Sequence, residues 1–156
     1  MGYTTEFKGA LKFNRKVDDE MKEYINKFSK SRRMKRDVSK IKENDDEWEK
    51  NSFRGQLGTE GEYYIGKDEN SIIDYNIPPS TQPELWCDWI INDNDELVWD
   101  GIEKFYSYKE WLIYLISYFF KPNNNILNGV IEFKGEYEND QGFIEVHDND
   151  VHLFYN

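Results

Sequence analysis

Residues 3–13 alternate. Tyr3, Thr5, Phe7, Gly9, Leu11 and Phe13 fall on one side and Glu6, Lys8 and Lys12 on the other, the period-two pattern of a half-buried strand. Asp18 or Asp19 is placed to cap a helix in which Met21, Tyr24, Ile25 and Phe28 recur at i, i+3, i+4 and i+7 as one apolar stripe. Residues 30–54 break this regularity: a basic run from Lys30 to Arg36 is followed by a mostly acidic run from Glu43 to Lys50. Only Val38, Ile41 and Trp48 keep a thin helical stripe, so a helix end and then a mobile or weakly helical charged segment are expected. Gly55, Gly58 and Gly61 punctuate the exit. Residues 63–65 read as a short strand and residues 66–84 as a loop closing on Pro78, Pro79 and Pro83.

Residues 85–91 and 97–99 read as two strands joined across the polar turn Asn92-Asp93-Asn94-Asp95, with Leu85, Cys87, Trp89 and Ile91 on one face. Ser107 and Glu110 are spaced as a capping box, with Tyr106 placed to staple onto Trp111. The helix they start is apolar on nearly every side from Trp111 to Phe120 and stops at Pro122, the mark of a central buried helix. Trp111, Leu112, Leu115, Ile116, Tyr118 and Phe119 are its expected buried positions. Residues 130–137, 143–147 and 151–155 read as a meander turning near Asp140-Gln141-Gly142 and Asp148-Asn149-Asp150. The order strand, helix, hairpin, helix, meander predicts an α+β fold: an antiparallel or mixed sheet with two main helices packed on one face. No 20–50-residue period repeats, and one domain over residues 1–156 is expected.

A chain of 156 residues can bury a core without staples. Aromatic residues make up 17% of it, so a few large rings supply much of the burial. The single cysteine, Cys87, excludes an internal disulfide and, on the apolar face of its strand, reads as structural rather than nucleophilic. Met1-Gly2-Tyr3-Thr4-Thr5-Glu6 lacks the regions of a secretory leader, and the greasiest stretch is about half the ~20 residues of a membrane helix. A cytoplasmic protein without a membrane partner is expected. Net charge is −11, but residues 1–42 hold 13 Lys and Arg against 6 Asp and Glu, and residues 43–156 hold 7 against 25. Such a division sets up an oriented field.

No phosphate loop, dinucleotide fingerprint or nucleophile elbow is present. His147 and His152 flank an Asp-rich turn, which needs no metal to form, and neither a metal nor another cofactor is expected. The sharpest polar feature is the basic cluster. Arg32, Arg33 and Arg36 would share one side of a helix and suit a phosphate or carboxylate; equally, they suit a solvated helix end. Trp86, Trp89, Trp99 and Tyr106 are candidate stacking surfaces for an anionic ligand, and Asp100, Glu103 and Glu110 are candidate acids or bases if buried.

Gly2-Tyr3-Thr4-Thr5, Phe28-Ser29 running into Arg32-Arg33-Met34-Lys35-Arg36-Asp37, Leu85-Trp86-Cys87 with Trp89, and Trp99-Asp100-Gly101 with Glu103-Lys104-Phe105-Tyr106 resemble a family of uncharacterised small proteins of bacteria and their phages. The resemblance spans most of the chain. It implies a cytoplasmic or phage-borne role in host–phage conflict and no particular chemistry.

Two functions are expected to compete. The absence of a catalytic constellation, the charge asymmetry and the aromatic supply point to a non-enzymatic protein-interaction module, an inhibitor being one form of it. The alternative is an enzyme or sensor holding a nucleotide or other phosphorylated small molecule through the Arg cluster and aromatic residues. So acidic a chain is not expected to bind nucleic acid directly.

Overall fold

The alternation of residues 3–13 becomes strand β1 (Glu6–Phe13), with Thr5, Phe7 and Leu11 buried and Glu6, Lys8 and Lys12 exposed. The protein is seen in a computed structural model that describes residues 2–156. In chain order the further elements are α1 (Asp19–Phe28), β2 (Lys35–Arg36), α2 (Val38–Asn44), β3 (Ile72–Asp74), β4 (Trp89–Ile91), β5 (Glu96–Trp99), α3 (Tyr108–Leu115), β6 (Leu127–Lys134), β7 (Gln141–His147) and β8 (Asp150–Tyr155). Contacts group them into two units, Met1–Ile25 with Asp88–Asn156, and Asn26–Cys87.

The first unit is built on a six-stranded sheet of order β4-β5-β1-β6-β7-β8, antiparallel at every pairing. It is an α+β fold ending in the expected meander. β1 occupies an interior position, with Leu11 opposite Leu97 on one side and Phe7 opposite Phe133 on the other. Phe7 is ringed by Trp89, Trp99, Phe105 and Tyr108 at centroid distances of 5.3, 5.4, 5.8 and 4.9 Å, within the range where edge-to-face pairs are favourable. The indole of Trp89 donates to Tyr108 O at 3.0 Å, which ties α3 to the sheet. Asp18 caps α1, accepting from Met21 N at 2.8 Å. In α1, Met21, Tyr24, Ile25 and Phe28 are all buried, and Tyr24 meets Phe119 at 5.6 Å.

Helix α3 and the turn that continues it are as buried as their sequence demands, with Trp111, Leu112, Tyr114, Leu115, Ile116, Phe119 and Phe120 inside. Tyr118 departs from the expectation and is half exposed, stacked on Tyr114. The capping box is a correction. Ser107 adopts a left-handed conformation, φ 55°, and its side chain makes no cap hydrogen bond. Lys104 is also left-handed, φ 64°. The turn is shaped by burying Phe105 and seating Tyr108 on Phe7, and that packing outweighs the local cap. Tyr106 accepts a hydrogen bond from Tyr3 N. Past Leu115 the helix widens into a π-turn over Ile116–Phe120 and tightens into a 3-10 turn over Lys121–Asn123.

The second unit corrects the reading of residues 30–54. They are not a loose charged segment. Ser31 Oγ donates to Lys27 O at 2.9 Å where α1 ends, and the chain turns extended through Arg33 into β2. Asp37 caps α2 by accepting from Ser39 N at 3.0 Å. Ile41, Leu57 and Tyr64 form a buried cluster with Val38 and Trp48 against it, so the thin stripe anticipated in this segment does reach a core. Residues 63–65 are not a strand: Tyr64 N donates to Gly61 O, closing a turn. The strand of this region is β3, inside the segment read as loop, where it pairs with β2. Gly61 has φ 72° and lies where a Cβ would meet Arg36 Cβ at 2.9 Å, so only glycine fits.

Candidate functional site

The Arg cluster does not form a helical face. Arg32, Arg33, Arg36 and Trp86 belong to the second unit, whereas Trp89, Trp99 and Tyr106 belong to the first. Arg33 is 98% buried, since only 2% of it is exposed. Its guanidinium lies over the Phe28 ring at 4.2 Å and donates to Glu62 O at 2.7 Å, Tyr64 O at 2.9 Å and Gln82 Oε1 at 3.3 Å. Arg36 is also buried. It sits over the Tyr64 ring and donates to Ser71 Oγ at 2.8 Å and to Asp68 O. Burial pulls the Arg36 guanidinium below its ordinary pKa, partly offset by Tyr64 and Asp68. Both cations therefore bond to backbone and side-chain acceptors of their own unit. Arg32, half-buried, donates to Tyr75 O and Asn76 Oδ1 and covers the Tyr75 ring.

Trp89 is fully buried, Trp99 is half-buried, and Trp86 and Tyr106 are exposed. Of the three candidate acids, Glu103 and Glu110 are exposed, which removes the desolvation an acid–base role needs, and Asp100 is half-buried. Asp100 meets a partner that sequence reasoning missed, the buried Asp88. Asp100 N donates to Asp88 O at 3.0 Å across the β4–β5 ladder. Burial, then the neighbouring Asp100 charge and hydrogen bond, push Asp88 up to about 7. Asp100 is raised by burial, against hydrogen bonds from Ile102 N and Asp88. Asp88 sits beside Trp89 in a run read as apolar on the other parity, so only the pairing reveals it.

The second unit carries a polar cleft of about 720 Å³, lined by Lys27, Lys30, Lys67, Asp45, Tyr64 and Asp68 among others. Its carboxylates are held internally. Asp45 accepts from Tyr64 Oη at 2.7 Å, Glu47 N at 2.9 Å and Asn51 at 3.0 Å. Burial raises its pKa, but these bonds prevail and leave it lowered. Tyr64 is raised to about 12, by burial first and by Asp45 next. Three lysines face two carboxylates, so the cleft offers an anion little net attraction.

The first unit ends in an edge strand, β8, with α3 packed close to it. β8 pairs with β7 on one side and, among the described residues, has no strand on the other. The two-residue turn Asp148-Asn149, with φ 47° and 73°, is the left-handed pair that a tight hairpin requires. It sets His147 opposite Asp150. Asp150, His152 and Phe154 thus bond to β7, and the amides of Val151, Leu153 and Tyr155 point outward. On the sheet face away from Phe7, Phe154 (52% exposed) lies directly opposite Phe143, with Val130 also exposed nearby. Tyr155 is 60% exposed. Acidic groups lie at the start of this edge, Asp148 and Asp150 at the β7–β8 turn, whereas Glu138 and Asp140 stand in the turn between β6 and β7, where Asp140 accepts from Tyr3 Oη at 2.7 Å. The strand was legible in the sequence. Its place at the edge was not, though apolar residues on both parities, Leu153 and Phe154, signal a strand with more to bury than one core face.

Among the described residues no group of His, Cys, Asp and Glu is arranged to hold a metal ion, and no helix is long and apolar enough to cross a membrane. Cys87 is buried and free of disulfide. Comparison with family models, with curated proteins and with solved structures finds no match.

Proposed function

We propose that the chain is a non-enzymatic protein-interaction module that takes an extended segment of a partner protein onto the outer edge of β8. The observation that carries this is the six-residue edge of β8 with outward amides at Val151, Leu153 and Tyr155. Edge strands are ordinarily guarded by Lys, Pro, a bulge or a cover. β8 contains neither Lys nor Pro and pairs with β7 in unbroken register. Main-chain hydrogen bonds supply affinity in strand addition, and alternate side chains supply specificity. Asp148 and Asp150 at the start of β8 suit a partner with an apolar or aromatic centre and a basic flank. A second copy of this chain, with a net charge of −11 and no Lys or Arg in β8, offers no such basic flank, so a different, basic-flanked partner is favoured. An inhibitor that occupies a basic partner in this way is one form the function can take.

The test is selection of extended peptides from a random library, followed by amide chemical-shift mapping of the selected ones. Recovered peptides are expected to be basic-flanked and to shift Val151, Leu153 and Tyr155. Leu153→Pro is expected to abolish binding while leaving the β7 pairing intact, because that amide faces outward. Selected peptides that leave the β8 amides unmoved would overturn the reading, as would a chain that dimerises through β8.

A further inference from the structure

A cavity of about 680 Å³ lies where α3 ends, lined by Ile113, Ile116, Ile126 and Val151 with Asp148 and Asp150 on its wall. Resting on the strand-addition reading above, we infer that this cavity is the anchor pocket of the interface, taking one branched aliphatic side chain of the added segment, with a Lys or Arg next to it in that segment.

Position argues first. Asp150 and Val151 are both the opening residues of β8 and part of the cavity wall, so a strand laid along β8 passes the mouth. Val151 also carries one of the outward amides, so the hydrogen-bonded backbone and the pocket meet at one residue.

The lining argues next. Ile113 and Ile126 are 42% and 37% exposed, yet they come from α3 and from the segment before β6 to share one cavity. Two large aliphatic groups converging on a concavity are better satisfied by an apolar occupant than by water. The side-chain amides of Asn149 and Asn125 make no demand for a polar ligand, because they bond to backbone groups. Asn149 accepts from Leu127 N at 2.7 Å and donates to Asn125 O at 3.2 Å, and Asn125 donates to Arg15 O at 3.3 Å. Lys121 is the single cation of the lining, against Asp148 and Asp150, so a basic neighbour of the anchor is attracted and an anion is not.

Rigidity argues last. The π-turn Ile116–Phe120 supplies Ile116 and Ser117 to the cavity, and π-turns inside helices recur at functional positions. Asn124, Asp148 and Asn149 hold positive φ values of 60°, 47° and 73°, fixed by the bonds above and by Asp148 N donating to Asn128 Oδ1 at 2.9 Å. A wall held in this way loses little entropy when occupied.

The same selected peptides provide the test. An Ile, Val or Leu beside a Lys or Arg is expected at one recurring position, and its contact should shift the methyl signals of Ile113 and Ile126. Truncating that peptide residue to Ala, or changing Ile113→Gln or Ile126→Gln in the protein, is expected to weaken binding about tenfold, corresponding to one aliphatic contact. Urea unfolding of both variants checks that they remain folded. Peptides that shift the β8 amides but not these methyls, and tolerate truncation, would overturn the anchor and leave strand addition standing. Peptides that move the β8 amides in no case would overturn the strand-addition reading and the anchor with it.

Discussion

Asp88 and Asp100 are hydrogen-bonded neighbours at the ends of adjacent strands, with Asp100 N donating to Asp88 O at 3.0 Å. Two carboxylates so close resist simultaneous ionisation. Burial and Asp100 lift Asp88 to about 7, so the folded chain keeps a proton that the unfolded chain gives up in the ordinary carboxylate range. Between that range and pH about 7 the folded state binds more protons, and stability from this pair must fall as pH rises. Urea midpoints of the wild type should drop over that interval relative to Asp88→Asn, which holds no ionisable group there. Parallel pH profiles would refute the raised Asp88.

Glu60 acts with the opposite sign. It accepts from Ser80 N at 2.8 Å and pairs with Lys35 at 3.0 Å, and these hydrogen bonds hold its pKa down at about 2. Its contribution is present above the ordinary glutamate range and is lost as pH falls toward 2. Glu60→Gln should therefore lower the unfolding midpoint at neutral pH and converge with the wild type in strong acid. A difference that persists unchanged down to pH 2 would show that the charge of Glu60 is not what stabilises the loop.

Arg33 and Arg32 are adjacent but should behave differently. Arg33→Met removes the charged donor from Tyr64 O and leaves Glu62 O with Gln82 Nε2 at 2.6 Å as its side-chain donor, and a hydrogen bond to a charged group is worth about 1.5–3 kcal/mol. Arg32→Ala removes a half-exposed side chain and should cost less than about 1 kcal/mol. Chemical denaturation of both measures this. Equal effects would mean that burial of Arg33 is not what organises the second unit.

Leu115→Ala removes a fully buried aliphatic side chain and should cost roughly 2–5 kcal/mol. Ser107→Ala should be within about 0.5 kcal/mol of the wild type, because Ser107 makes no side-chain cap. Urea unfolding of the two variants separates them. A larger loss at Ser107 would restore the capping box that the sequence suggested.

What the sequence determined by itself are the elements whose faces are set by local periodicity. β1, the stripe of α1, the apolar body of α3 and the terminal meander all stood in the pattern of apolar and polar positions, and with them the α+β class. The cap at Asp18 was also readable, because capping involves residues only three apart. Tertiary structure alone decided the rest. It put β1 between β5 and β6, whose residues lie more than 80 positions away along the chain. It turned Ser107 left-handed to bury Phe105, took Arg33 inside to satisfy three acceptors, and brought Asp88 against Asp100. It also left β8, rather than another strand of the meander, at the edge of the sheet. Local pattern states which side of an element is apolar. Which distant group meets that side, and which polar group is desolvated by the meeting, depends on long-range pairing that no window of neighbouring residues contains.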